Sequence, residues 1–349
     1  GSGTSDWLSW GAGGGHGGKG GDGVGYVGGV SYGNVSQPIT LGSGGGGGSE
    51  SYFSKRGGDG GGAIHLVVTG TLTINGALSA NGTNGDGGFW AGGGGSGGGA
   101  GGSIWIETQT LNGSGNIQAQ GGSSPVAGGG AGGRIALAYT TSSLNDTAVE
   151  AFGGTGPKQH GGPGTIYWAP ANRLVINNNG NNGAAAGLES GSYNFASIEL
   201  IQHGHLDVLG EGSTITLAND TMISDGTGIL TAYGVLSAPS VLTIQNFTLD
   251  VQGQLTGAND VVVGGATGNA AGLVLRASTP TEAYNFSSLV VQTTGTLKLV
   301  PYNDGDNGDY NNDAPIELTV GTMTVASGVV VHSDALGYTG TNVNGNGPG

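Results

Sequence analysis

The chain has no cysteine, so no disulfide can staple the fold and no redox compartment can be read from thiols. Basic residues are nearly as scarce: eight Lys and Arg stand against 23 Asp and Glu, a formal net charge of −15. Such a surface repels phosphate backbones, so nucleic acid is not an expected partner. No apolar run approaches the length of a spanning helix, and no membrane insertion is expected. With only ten prolines and an interrupted glycine pattern, collagen is excluded, because its triple helix needs glycine at every third position throughout. The opening GSGTSDW carries neither methionine nor a signal-like segment, and reads as a mature product or a window of something longer.

Glycine is what the chain has in abundance. Of 82 glycines, 56 fall in residues 1–170 and 26 in the rest. That gradient divides the chain into a glycine-rich repeat region (1–170), a strand-rich region (171–334) and a glycine- and asparagine-rich tail (335–349). Each glycine loses much backbone freedom on ordering, so a compensating interaction is required. A disordered first region is disfavoured because its tracts alternate with AIHLVV, SIWIE, RIALAY and TIYW, short apolar strands that a flexible linker would not carry.

Four times a glycine tract runs into an apolar-x-apolar strand, headed by Ile64, Ile104, Ile135 and Ile166. The first three are followed by a second short strand in ALSANG, NIQAQGG and AVEAFGG. Farther on, Ile198, Leu200, Gly204, Leu206 and Val208 share their spacing with Leu289, Val291, Gly295, Leu297 and Leu299, and with Ile64, Leu66, Gly70, Leu72 and Ile74. A two-residue alternation is that of a strand, and units of this size stack because one alone cannot bury its apolar face. The expected fold is all-β: an elongated parallel β-solenoid, or β-helix, with interleaved glycine-rich strands. A β-sandwich array is the alternative.

In GGHGGKGGDG, Gly14 to Gly23, glycine takes two of every three positions and His16, Lys19 and Asp22 take the third. A three-residue period matches a polyproline-II-like helix, which has no hydrogen bonds within itself. The three side chains would share a wet edge while the bare edges let neighbouring backbones close in and bond to one another. Flexible glycine loops between strands are the alternative. The tracts resemble the polyglycine-II bundles of certain phage tail adhesins and of a glycine-rich springtail antifreeze protein. Their alternation with GGSIWI, GGRIAL and NIQAQGG is similar to the glycine-rich repeats of very large secreted bacterial surface proteins. Those resemblances imply a structural or adhesive role at the cell surface or outside the cell, with a surface glycan or receptor as a conceivable partner.

Site-like features are few. NDGDNGDYNND brings Asp304, Asp306, Asp309 and Asp313 together, oxygen ligands that suit calcium without an EF-hand pattern; a solvated acidic turn is the plainer reading. His203, His205 and Asp207 alternate on one strand and lack a fourth ligand for zinc. The pairs Thr71 and Thr73, Thr214 and Thr216, Thr294 and Thr296, and Thr322 and Thr324 would serve ice binding if they stacked flat, though the β-propensity of threonine explains most of them. Arg134, Arg173, Arg276 and Lys298 are scattered, and no nucleophile constellation stands out, so no enzyme and no cofactor are expected. Seven sequons, from Asn34 to Asn285, are weak pointers to an extracellular setting. Asp22-Gly-Val-Gly-Tyr26-Val-Gly28 recurs as Asp334-Ala-Leu-Gly-Tyr338-Thr-Gly340, and neither end resembles a polar cap. The expected function is a self-associating subunit of an extracellular fibre or surface adhesin; a phage-type tail adhesin and an ice-binding solenoid are the alternatives, and a polysaccharide-active β-helix the remotest.

Overall fold

A computed structural model of the chain describes residues 8–50, 53–87, 94–210, 212–218, 222–302 and 314–334. Strand accounts for 46% and helix for 2%, and the sheets are mostly parallel; the all-β expectation holds. The chain forms two compact units. One comprises Gly1–Glu189, Phe195–Asp207 and Thr221–Ile223, the other Ser190–Asn194, Val208–Asp220 and Ser224–Gly349.

In the first unit, Ala63–Thr73, Ser103–Asn112, Arg134–Ala138 and Thr165–Trp168 lie side by side in parallel. Arg173–Asn177 then runs antiparallel to the last of these, and Ser197–Ile201 lies parallel beyond it. The four isoleucines that head the repeats are register partners: Ile64 meets Ile104, Ile104 meets Ile135, and Ile135 meets Ile166. A second parallel sheet pairs Ala77–Ser79 with Asn116–Gln118 and that strand with Val149–Glu150, aligning Leu78, Ile117 and Val149. Both sheets feed one core. The alanine after each of these strands has a defined task, since the carbonyls of Ala80, Ala119 and Ala151 accept from the amides of Gly102, Gly133 and Gly164, each at 2.7 Å.

The glycine tracts form an array held by backbone bonds, and their three-residue period is visible in the partners. In the 97–102 tract, Gly97 and Ala100 donate to Gly46 and Ser43, Gly98 and Gly101 to Gly128 and Ala131, and Gly99 and Gly102 to Thr83 and Ala80. Each third residue therefore addresses the same neighbour. The 128–133 tract does likewise: Gly128 and Ala131 donate to Gly11 and Gly14, Gly129 and Gly132 to Gln159 and Gly162, and Gly130 and Gly133 to Gly122 and Ala119. Glycine is required here by close approach. A Cβ at Gly98 would stand 1.9 Å from the Gly122 oxygen, and one at Gly130 2.1 Å from the Gly99 oxygen. The flexible-loop alternative is overturned for these tracts, because their amides are paired.

The second unit winds through three parallel sheets in turn. Gly228 pairs with Phe247, Val235 with Gln254, and Val241 with Asp260, an advance of 19 residues in every case. Leu230, Leu249, Leu273 and Leu297 stack in register, all fully buried. The Leu242, Val261 and Leu289 column continues to Met323, and the Ile244, Val263 and Val291 column to Val325. Gly295 of the repeated phrase sits at a corner where a Cβ would lie 2.3 Å from the Val263 oxygen, and in the first unit Gly204 meets the Ile176 oxygen at 2.2 Å in the same way. Nothing crowds Gly70, the third member of that set.

Candidate functional site

The four aspartates considered for calcium, Asp304, Asp306, Asp309 and Asp313, lie outside the described residues. Among the described residues no group of three or more His, Asp or Glu side chains is placed to hold a metal ion. The His203, His205 and Asp207 set does not share a strand face: His203 sits in a turn at φ 62°, before the His205–Val208 strand, and Asp207 is buried. His205 Nε2 lies 3.0 Å from Asp207 Oδ1, so only these two of the three sit together.

The threonine pairs differ in what they stack on within their own sheets. Thr71, Thr110 and Thr141 are in register, with 3.2 Å between the last two hydroxyls. Thr214, however, is flanked by Ser192 and Val235, Thr322 meets Ser288, and Thr324 meets Val290.

His16 corrects the wet-edge expectation. Asp22 is exposed and Lys19 half-buried, but His16 is fully buried. Its Nδ1 lies 2.8 Å from the Gly101 carbonyl, which can only accept, so Nδ1 carries the proton and Nε2 accepts from the Thr40 hydroxyl at 2.8 Å. Burial, with the Arg134 charge nearby, pushes this imidazole down to about 4. Arg134 is itself fully buried: Nε donates to the Tyr32 carbonyl, Nη1 to the Thr165 hydroxyl and Nη2 to the Gly187 carbonyl. Sequence reasoning counted Arg134 among scattered basic residues. A signal was present, because its register partners are Ser103 and Thr165, small residues at the same tract-to-strand junction.

A cleft of about 510 Å³ in the first unit gathers Gln120, Asp146, Glu150, Trp168, Arg173 and Glu199. Its charged groups all have partners. Arg173 pairs with Asp146, approaches Glu199 at 3.4 Å and lies over the Trp168 ring, while Glu150 accepts from Gln118 and Gln120.

Two sheets end on long strands with no further strand beside them among the described residues. Ala63–Thr73 is the last strand of its sheet, eleven residues long, with its inward residues only half-buried. Glu317–Val325 is the last strand of another sheet, and there Met323 and Val325 are each 42% exposed although their column partners Leu289 and Val291 are fully buried. Among the described residues nothing covers the core columns that end on these strands. Comparison of the chain with protein-family models, with curated proteins and with solved structures gives no match.

Proposed function

We propose that the chain is a structural subunit of an extracellular fibre or cell-surface adhesin, without catalytic activity. In this reading it is a parallel β-solenoid with interleaved polyglycine-II-like strands, and copies add end to end through backbone hydrogen bonds. The observation that carries the reading is the pair of uncovered terminal strands. A long edge strand offers unpaired N–H and C=O groups to another chain, and Met323 and Val325 would gain burial from the contact. Joining the Glu317–Val325 edge of one copy to the Ala63–Thr73 edge of the next is a heterologous contact, which extends into filaments unless the rotation closes a ring. That each cleft carboxylate already has a partner within the chain supports a structural role over a catalytic one.

Electron microscopy of the purified chain tests this directly. Filaments that disappear in Met323→Lys, while the variant stays folded, are the expected result. Particles that remain single at high concentration would overturn the proposal. Ice binding has only the Thr71, Thr110 and Thr141 ladder behind it and is the weaker reading.

A further inference from the structure

In the first unit the smaller sheet stops while the larger one goes on. Val149–Glu150 is the last strand beside Asn116–Gln118 and Ala77–Ser79, whereas the larger sheet continues from Thr165–Trp168 through Arg173–Asn177 to Ser197–Ile201. The step shows in the backbone bonds. Ala80 donates to the Gln118 carbonyl and Ala119 to the Glu150 carbonyl, each to the next rung, but the Ala151 amide has no such partner among the described residues. The chain itself closes the rest of this edge: the Val149 amide donates to the Asp146 carbonyl, and the Gly153 amide to Asn178 Oδ1 at 2.9 Å.

The larger sheet changes character over the same strands. The register column of Ile104, Ile135 and Ile166 passes to Val175 and then to Glu199, and the column of Ile106, Leu137 and Trp168 passes to Arg173. Columns that bury aliphatic side chains lower down thus end in a carboxylate and a guanidinium. The cleft of about 510 Å³ opens here, and Val175, Glu199 and Arg173 all line it. Three carboxylates, Asp146, Glu150 and Glu199, face it against the single guanidinium of Arg173. One polar atom is left over. Arg173 Nε is buried and has no acceptor among the described residues, although its two terminal nitrogens are paired.

We propose that this cleft binds an uncharged saccharide. A hydroxyl both donates and accepts, so a polyhydroxylated ring can offer an acceptor to Arg173 Nε and donors to carboxylate oxygens, whose several lone pairs are not used up by one partner each. The apolar face of such a ring has Val175, Ile201 and the half-buried ring of Phe152 to lie against; Trp168 is only 2% exposed, with Arg173 over its ring, and does not serve. The excess of carboxylates repels an acidic sugar. Addition of a peptide strand is disfavoured, because a strand needs a row of free backbone groups and the edge amides on either side of Ala151 are taken. The volume lies within the range of about 300–1,000 Å³ common to small-molecule sites. Nothing in the inference requires that copies assemble.

Titration of the full chain with glucose, galactose, mannose and N-acetylglucosamine, read by NMR at the Arg173 Nε–H and Phe152 ring signals, tests the cleft. At least one sugar should move both signals saturably, with a Kd of about 1 mM or tighter. Glucuronic and galacturonic acids should bind at least about tenfold more weakly than their neutral parents. Glu199→Gln keeps the side-chain shape and should weaken the neutral sugar by about tenfold with the melting temperature little changed; if that variant does not fold, the wild-type shifts decide alone. Silence with all four sugars would overturn the proposal, as would saturable shifts that spare Arg173 or undiminished binding by folded Glu199→Gln. Acidic sugars binding as well as neutral ones would overturn the uncharged assignment. Triglycine moving these signals where no sugar does would give the cleft to a peptide strand instead. Filaments that bind no sugar would sink the cleft proposal and leave the fibre reading standing; sugar binding by a chain that stays single would do the reverse.

Discussion

His16 Nδ1 and the carbonyl oxygen of Gly101 lie 2.8 Å apart across 85 residues of sequence, joining two glycine tracts through a buried side chain. The bond requires the proton on Nδ1 and leaves Nε2 to accept from Thr40, so the neutral ring satisfies both neighbours. Protonation would place a charge in a site closed off from water, beside the buried Arg134.

A pH dependence follows. The imidazole is held near 4 in the folded chain, from an ordinary value of 6.5, so the unfolded state binds the proton more readily. Stability from this group is fully present above pH 6.5 and is lost as the pH falls toward 4, by about 3 kcal/mol in all. Denaturant melts between pH 7 and pH 4 should show that loss, and His16→Asn should flatten the slope over the same interval. An unchanged slope in the variant would place the titration elsewhere.

Glycine substitutions should divide by position. Gly98→Ala places a methyl 1.9 Å from the Gly122 oxygen, and since backbone cannot rotate away, the expected loss is about 3 kcal/mol. Gly76→Ala meets nothing within 4 Å and should be neutral or stabilising by about 0.5 kcal/mol, through the unfolded chain. Thermal melts of the two variants check the contrast.

Arg134→Lys should not rescue Arg134→Met. Three guanidinium nitrogens each reach a different oxygen, on Tyr32, Thr165 and Gly187, and one ammonium cannot reproduce that fork. Both variants are expected to lose about 3 kcal/mol, from buried acceptors left unpaired.

At the terminal strand, Met323→Lys should stop filament growth with little change in the melting temperature of the single chain. The side chain is 42% exposed there, so a lysine can reach water until another copy covers it. Sedimentation and melting of the same sample separate the two effects.

Much of the fold was legible in local spacing. The Ile64, Ile104, Ile135 and Ile166 repeat became a register column because parallel strands keep equivalent residues level. The alanines of ALSANG, NIQAQGG and AVEAFGG mark the chain turning back to meet a glycine amide. What spacing cannot convey is which edge of a tract faces water, and for that reason His16 was misplaced: its burial depends on Thr40, Gly101 and Arg134, all remote in sequence. Arg134 is non-local in the same sense, since its partners Tyr32, Thr165 and Gly187 arrive from separate parts of the chain.

Residue-resolved amide exchange across 97–102 and 128–133 addresses the central claim, that bare backbone serves as the packing surface. The account predicts that these glycine amides open only with global unfolding, as slowly as the strand amides of Ile104 and Ile135. Exchange at the rate of an unstructured peptide would contradict it.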